Sequence, residues 1–430
     1  MKKTGIWGVF TVLFFLNPIF YQPTIYSQQT INEVLELEKL KNEVTSILKE
    51  NILPFWTNNL VDYNSGGFYG RVDGNNELHK DSDRGGILNA RILWTYSAAF
   101  RTLKDDSYLK IANHSRNYIL NHFIDPQNGG AYYRLNSKGE PEDMRKQSYT
   151  QSFFIYGLTE YYLATGDTLA LNAAKDIYFL LEKYSFDSVN NGYFEVCSPN
   201  WERINDKMIG EKSASDIKGM NTHLHLMEAY SNLYRARPDK HLKNRLTNLI
   251  ELFCEKIIDP KTFHLIYFMN EKWEASSPIV SYGHDIEASW LLTEAAMLID
   301  NSTLTSKVKT LSLKLADAVY EGILEDGSTA YEKNILSGEI NRTREWWAEA
   351  ETVVGYLNAY ELSGNEKYLN TALNSWDFIK NNFIDYTNGE WYNQISESGS
   401  ILKLDKAGFW KCPYHNSRMC IEIILRTTKI

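Results

Sequence analysis

Along most of the chain, apolar residues return at i, i+3, i+4 and i+7, the spacing of one helical face. The helical segments come in pairs. ARILWTYSAAFRTL and YLKIANHSRNYILNHF are divided by KDDS, and SFFIYGLTEYYLATG and TLALNAAKDIYFLLEKY meet at Gly166-Asp167. HLHLMEAYSNLYRA, ASWLLTEAAMLID and AETVVGYLNAYELSG continue the plan with their partners. Gly and Asp at the breaks act as stop and cap signals. Between pairs lie turn-rich Asp/Asn/Gly stretches followed by short aromatic segments such as GGFYGRV and GGAYYRL, which suit small hairpin strands.

These turns are copies of one another. NNLVDYNSGG (58–67), NHFIDPQNGG (121–130) and NNFIDYTNGE (381–390) share their key positions; YSFDSVNNGYF, EKIIDPKTFHL and GILEDGSTAY are looser versions. The repeated acid falls at Asp62, Asp125, Asp187, Asp259, Asp326 and Asp385, every 59 to 72 residues. A repeat of this length defines a supersecondary unit that buries its apolar face against its neighbours. Six helical hairpins of equal size predict an all-α (α/α)6 barrel with short β-hairpin loops, the first helix of each pair inside and the second outside. An open helical solenoid would use the same hairpins. Closure is favoured because unusual polar residues recur with the same period.

Composition narrows the picture. The chain has 430 residues, 23% of them charged, and a net charge of −9 without basic runs. A nucleic-acid partner is therefore not expected. Lys2 and Lys3 precede the apolar run GIWGVFTVLFFLNPIF, and Ser27 follows. That order reads as a signal peptide over 1–27 and an exported catalytic domain over 28–430; the rival is an uncleaved membrane anchor. Cys197, Cys254, Cys412 and Cys420 form no metal-type spacing and are expected to be mostly free, buried thiols. Eleven Trp, 28 Tyr and 19 Phe suit either a large core or platforms for sugar faces.

The candidate chemistry lies near the starts of the first helices. Arg91, Tyr149, His225, His284, Trp347 and His415 recur every 58 to 76 residues, so in a closed ring they face one mouth. In KGMNTHLHLMEAY, helical geometry divides the polar residues. Asn221, His225 and Glu228 share a face, whereas His223 lies about 200° from His225 and reads as a supporting or packing residue. His284 and Glu287 also share a face, and a carboxylate one turn away can fix an imidazole's tautomer. A zinc site built from His225, His284 and His415 is geometrically possible. General acid–base work fits the imidazoles better. Abstraction of the C2 proton of an open-chain aldose would need a base, a donor on the other face, support for an enediolate from Arg91 and His225, and stacking from Trp347 and Trp410. Inverting glycoside hydrolysis would need two carboxylates, with Glu228, Asp285, Glu287, Glu349 and Glu351 as candidates. A sugar-binding barrel without catalysis would explain the tryptophans and not the imidazoles.

NARILWTYS, MNTHLH, GHDIEASWLL, WWAEAE and FWKCPYHNSR, in this order, resemble the cellobiose 2-epimerase branch of the N-acylglucosamine 2-epimerase superfamily, from about Leu35 to the end of the chain. The resemblance implies cofactor-independent epimerisation at C2 of the reducing-end glucose or mannose of a β-1,4-linked disaccharide, with aldose–ketose isomerisation as a neighbouring possibility. It implies an acid/base pair at His284 and His415 and stabilisation of the intermediate by His225. Arg91, Tyr149, Asn221, Glu287, Trp347 and Trp410 match substrate-contacting positions, no metal is implied, and a monomer is expected. Glu349 departs from the Gln of WWxQAE and is expected to alter contacts with the sugar or with a histidine. Export points to disaccharides from plant polysaccharide, cellobiose or mannobiose, rather than N-acetylated amino sugars.

Overall fold

The computed structural model describes residues 28–204 and 217–428; the signal-peptide expectation for 1–27 lies outside them. Six helices stand side by side in a closed inner ring: α3 (Gly86–Leu103), α5 (Ser148–Thr165), α7 (Met220–Ala236), α9 (Tyr282–Leu298), α11 (Trp346–Ser363) and α13 (Tyr414–Thr427), with α13 packed back on α3. Outside them lie α4 (Asp106–Tyr118), α6 (Thr168–Leu180), α8 (Lys240–Leu252), α10 (Ser302–Val319) and α12 (Glu366–Asn382). The sixth outer position is filled from the other end of the chain. There α1 (Gln28–Ile47), continued after a π-turn by α2 (Leu53–Asn59), packs on α13. The barrel is thus six hairpins as expected, five local in sequence and one made by joining the chain's ends.

Burial follows the sequence pattern. Every residue of α3 from Gly86 to Ala99 is buried, as a helix covered on all sides requires. The outer α8 buries Leu242, Leu246, Leu249, Ile250 and Leu252, a stripe on one face, and shows its charged face to water. Outer helices α4, α6, α8, α10 and α12 are capped by the side chains of Asp105, Asp167, Asp239, Asn301 and Asn365, which accept first-turn N–H groups. The six inner helices have no side-chain cap. Instead, the first amides of α3, α5, α7 and α11 donate to the carbonyls of Tyr133, Glu195, Tyr267 and Asn393. Each of these hairpin residues belongs to the next unit, so this bond ties neighbouring units together. Their positive N-terminal ends therefore converge on one mouth.

The repeated aspartates explain the turns. One carboxylate oxygen accepts successive backbone amides, as Asp125 does from Gln127 and Asn128. The other bonds a basic residue just before the next inner helix in α3, α5, α7 and α11: Arg84 to Asp62 at 2.7 Å, Lys146 to Asp125 at 2.8 Å, Lys218 to Asp187 at 2.9 Å and Arg344 to Asp326 at 2.9 Å. Lys406 does the same for Asp385 at 2.7 Å, from the loop before α13. In the fourth unit Val280 takes the basic position, and Asp259 keeps only its turn bonds. The pairs to Asp62, Asp125, Asp187 and Asp385 are buried, and pairs of this kind add little net stability but fix register, since breaking one strands a charge; Asp326 is partly exposed. Cys197, Cys412 and Cys420 are buried and Cys254 half-buried, all as free thiols.

Candidate active site

The mouth of the ring opens on a cavity of about 410 Å³. Its wall includes Arg91, Tyr149, Asn221, His225, His284, Glu287, Trp347, Trp410 and His415, all nine residues singled out in the sequence. They sit at two depths. Tyr149, Asn221, His284, Trp347 and His415 lie in the first turn of their helices, whereas Arg91, His225 and Glu287 lie a turn deeper. Trp410 is in the loop before α13 rather than on an inner helix, and it is 45% exposed at the rim. Trp346, at the start of α11, and Tyr133, Tyr267, Tyr331, Glu345, Asn393 and Lys411, brought in by hairpins and loops, complete the lining.

Behind the cavity wall lies a group that sequence reasoning missed. Arg418, fully buried on α13, donates to Glu287 Oε1 at 2.5 Å and Glu351 Oε1 at 2.6 Å through Nη2, and to Glu228 and Tyr414 through Nη1. His225 Nδ1–H donates to Glu228 Oε2 at 2.8 Å, and His415 Nδ1–H donates to Glu351 Oε1 at 2.7 Å. One guanidinium therefore joins the supports of two histidines. Acceptor-only carboxylates assign the Nδ1–H tautomer to both rings, leaving Nε2 as the basic nitrogen. The signal for Arg418 was in the sequence: it falls one helical turn after His415 in HNSR.

The pairing expected between His284 and Glu287 does not form. Glu287 turns to Arg418, and Ser281 Oγ meets His284 Nδ1 at 2.8 Å. A guanidinium outcompetes an imidazole for a buried carboxyl group because it is a permanent charge with several donors. Arg91 Nη2 donates to Tyr149 OH at 2.7 Å, and its Nη1 approaches Cys412 Sγ at 3.6 Å. Trp347 covers both His284 and His415, with ring centroids 4.5 Å and 5.7 Å away. Gly283 makes this approach possible, since a Cβ there would lie 2.7 Å from the Trp347 ring.

Electrostatics favour neutral imidazoles. Burial pushes His284 down to about 3, with His225 adding to the shift. Burial also lowers His225, against the pull of Glu228, and lowers His415 well below the ordinary range with help from Arg91 and Arg418. Among the acids, burial works to raise Glu228, but Arg418 and His225 outweigh it and hold the group at about 2. Glu287 is pushed up to about 8 by burial and by Glu351. Arg418 thus faces the firmly ionised Glu228 together with Glu287 and Glu351, both raised by burial.

Four polar residues of the inner helices, His223, Gln151, Asp285 and Glu349, belong to the scaffold. His223 accepts the Tyr193 amide on Nε2 at 3.0 Å and donates from Nδ1 to the Gly219 carbonyl at 2.8 Å. Gln151, Asp285 and Glu349 occupy the same helical position and accept the amides of Ala131, Leu265 and Thr329. The expectation for Glu349 is therefore corrected. Its carboxyl clamps a neighbouring turn and does not line the cavity, and burial raises its pKa well above the usual range.

The arrangement discriminates among chemistries. Of the five carboxyl groups considered for hydrolysis, only Glu287 lines the cavity, and it is bound to Arg418. Hydrolysis needs a pair flanking the scissile bond. Among the described residues, the group whose possible metal-ligand atoms gather within 4.8 Å is Glu287, Glu351 and His415, not the three histidines. Arg418 already bonds both of those carboxyls and supplies the positive charge there. Glu345 is a second carboxyl group in the lining, held by Gln394 as Glu287 is held by Arg418, and Lys411 is paired with Glu390; beside them the cavity is faced by three imidazoles and the Arg91 cation.

Comparison with known proteins agrees with this geometry. The family model for N-acylglucosamine 2-epimerase (GlcNAc 2-epimerase) matches residues 67–418. A cellobiose 2-epimerase of Bacteroides fragilis is 47% identical over 388 residues, covering 90% of this chain and 99% of the relative. One from Dictyoglomus turgidum is 38% identical, covering 91% and 100%. The solved structure of cellobiose 2-epimerase from Bacillus thermoamylovorans superposes with a TM-score of 0.88 at 42% identity, covering 90% of this chain and all of that one. The chain belongs to the N-acylglucosamine 2-epimerase family, in its cellobiose 2-epimerase branch.

Proposed function

We propose that the protein interconverts glucose and mannose at the reducing end of β-1,4-linked disaccharides such as cellobiose and mannobiose, by moving the proton on C2. The observation that carries this reading is a cavity faced by three buried, neutral imidazoles, two of them joined through carboxylates to Arg418. In the open-chain sugar the C1 carbonyl acidifies the C2 hydrogen. Nε2 of one histidine of the pair His284 and His415 takes that proton, and the electron pair moves into the C1–C2 bond, leaving an enediolate. Arg91 supplies a cationic donor for its oxygen, and His225, whose Nδ1–H is given to Glu228, donates from Nε2 only once that nitrogen has taken up a proton. The other histidine, having taken a proton from solvent onto Nε2, gives it to the opposite face of C2, which inverts that centre, and the first histidine releases the abstracted proton to solvent. Trp347 and Trp410 offer apolar faces to the sugar rings.

The leading segment 1–27 supports an exported enzyme acting on disaccharides outside the cytoplasm. Incubation with cellobiose and with mannobiose in D₂O tests the reaction. The expected products are the C2 epimers carrying deuterium at C2, with loss of exchange in His284→Ala and His415→Ala. Free monosaccharides alone would indicate hydrolysis, and a ketose product isomerisation; either, without C2-deuterated aldose, overturns the proposal.

A further inference from the structure

The three histidines differ in what stands behind them. His225 and His415 each have a carboxylate at Nδ1, whereas His284 has the hydroxyl of Ser281 at 2.8 Å. Ser281 is buried, ends the strand Ile279–Ser281, and sits at the N-cap of α9 without capping it. That strand pairs on one side with Glu332–Asn334, where Ser281 meets Glu332, and runs directly into α9, so the backbone at Ser281 is held by the ladder and by the helix that follows. The serine hydroxyl is therefore aimed at the ring by rigid elements and is not used for the usual capping task.

A hydroxyl and a carboxylate do different things at Nδ1. A carboxylate only accepts, so it locks the ring as Nδ1–H and stabilises the imidazolium that forms when Nε2 takes a proton. A hydroxyl can accept from Nδ1–H or donate to a bare Nδ1, and it adds no charge. Its rotation allows either neutral tautomer without leaving a buried atom unpaired. It also leaves the imidazolium unsupported, so a proton on His284 is readily given up. The charged and titratable groups facing His284 are His225 on α7, Glu351 on α11 and Arg91 on α3, with Tyr267 beside its ring.

Building on the function proposed above, we propose that Ser281 is the positioning residue of His284: its hydroxyl holds the ring through Nδ1, directs Nε2 at C2, and gives this histidine a neutral partner where His415 has Glu351. The pair that works on the two faces of C2 is thereby asymmetric. His415 is fixed in its Nδ1–H tautomer by Glu351, whereas His284 can take either neutral tautomer against Ser281.

The test compares the wild type with Ser281→Ala, Ser281→Thr and Ser281→Asp in C2–H exchange across pH. Ser281→Ala should lower kcat about tenfold with KM within about twofold, and Ser281→Thr should recover most of the loss. Ser281→Asp should move the acid limb of the kcat profile upward by about 1–2 pH units, because it places a charge against the imidazole. Nitrogen NMR of the His284 ring should show loss of a single bonded Nδ1 in Ser281→Ala, whether or not the variant turns over. Unchanged kcat and unchanged His284 signals in Ser281→Ala overturn the assignment, as does a Ser281→Asp profile that falls without shifting. Absence of exchange in the wild type would instead overturn the proposed reaction, and the NMR comparison would still decide the role of Ser281.

Discussion

Replacing Arg418 with methionine tests the central electrostatic claim. Methionine keeps most of the volume, so the perturbation is loss of a buried charge that bonds Glu228, Glu287 and Glu351. Breaking a buried pair by removing one partner costs about 3–5 kcal/mol, because the other charge is stranded. Here three carboxyl groups are stranded together, and none can ionise without repelling the rest. Their pKa values in the folded variant all rise, including that of Glu228, which Arg418 holds at about 2 in the native protein. The folded variant then keeps protons that the unfolded chain releases above the ordinary carboxylate range of about 4.3, so its stability falls as pH rises. We expect a loss of about 3–5 kcal/mol at pH 8 and only about 1–3 kcal/mol at pH 5, where the protonated acids need hydrogen bonds but no counter-charge. Urea unfolding midpoints measured from pH 5 to pH 8 check this. Equal losses at both ends of the range would refute the reasoning, since a purely steric defect has no reason to follow pH.

Three further outcomes follow from the geometry. Glu349→Gln should leave C2 exchange within about twofold and make the protein more stable at alkaline pH, as thermal melts would show. The native acid is raised by burial, so the folded state loses stability as pH rises through that group's titration, and the amide removes the dependence. His223→Ala should cost about 1–3 kcal/mol in unfolding experiments while kcat stays within a few-fold, because the ring satisfies the Tyr193 amide and not the substrate. Trp410→Ala should raise KM about tenfold with a smaller change in kcat, measured by initial rates on cellobiose, since a rim indole offers binding surface more than chemistry.

Much of this was legible before any coordinates. The period of the aspartate turns is a covalent property of the chain, and a ring of equal units follows from it. The residues at matching places in each unit then had to meet, and Arg91, His225, His284 and His415 do. What stayed hidden were partnerships across units. Arg418 bonds residues 67 to 190 positions away, and no local spacing marks such a contact. Ser281 was passed over because a serine before a helix reads as a cap. Glu287 was matched to His284 because i, i+3 neighbours share a face, but helical periodicity does not know which partner will arrive from another helix. Glu349 and His223 became intelligible only once helical position was counted from the start of each inner helix, which requires knowing where that helix begins.

The joining of α1 to α13 also sets the order of events in the cell. A ribosome makes α1 before α13, and Leu37, Leu40 and Val44 on its buried side have no sixth inner helix to cover until α13 emerges. The same last helix brings His415 and Arg418. Before it arrives, Glu228, Glu287 and Glu351 stand without their counter-ion. Without α13 the ring is unclosed and the three carboxyl groups lack Arg418, so the contact that closes the barrel is also the one that completes the site.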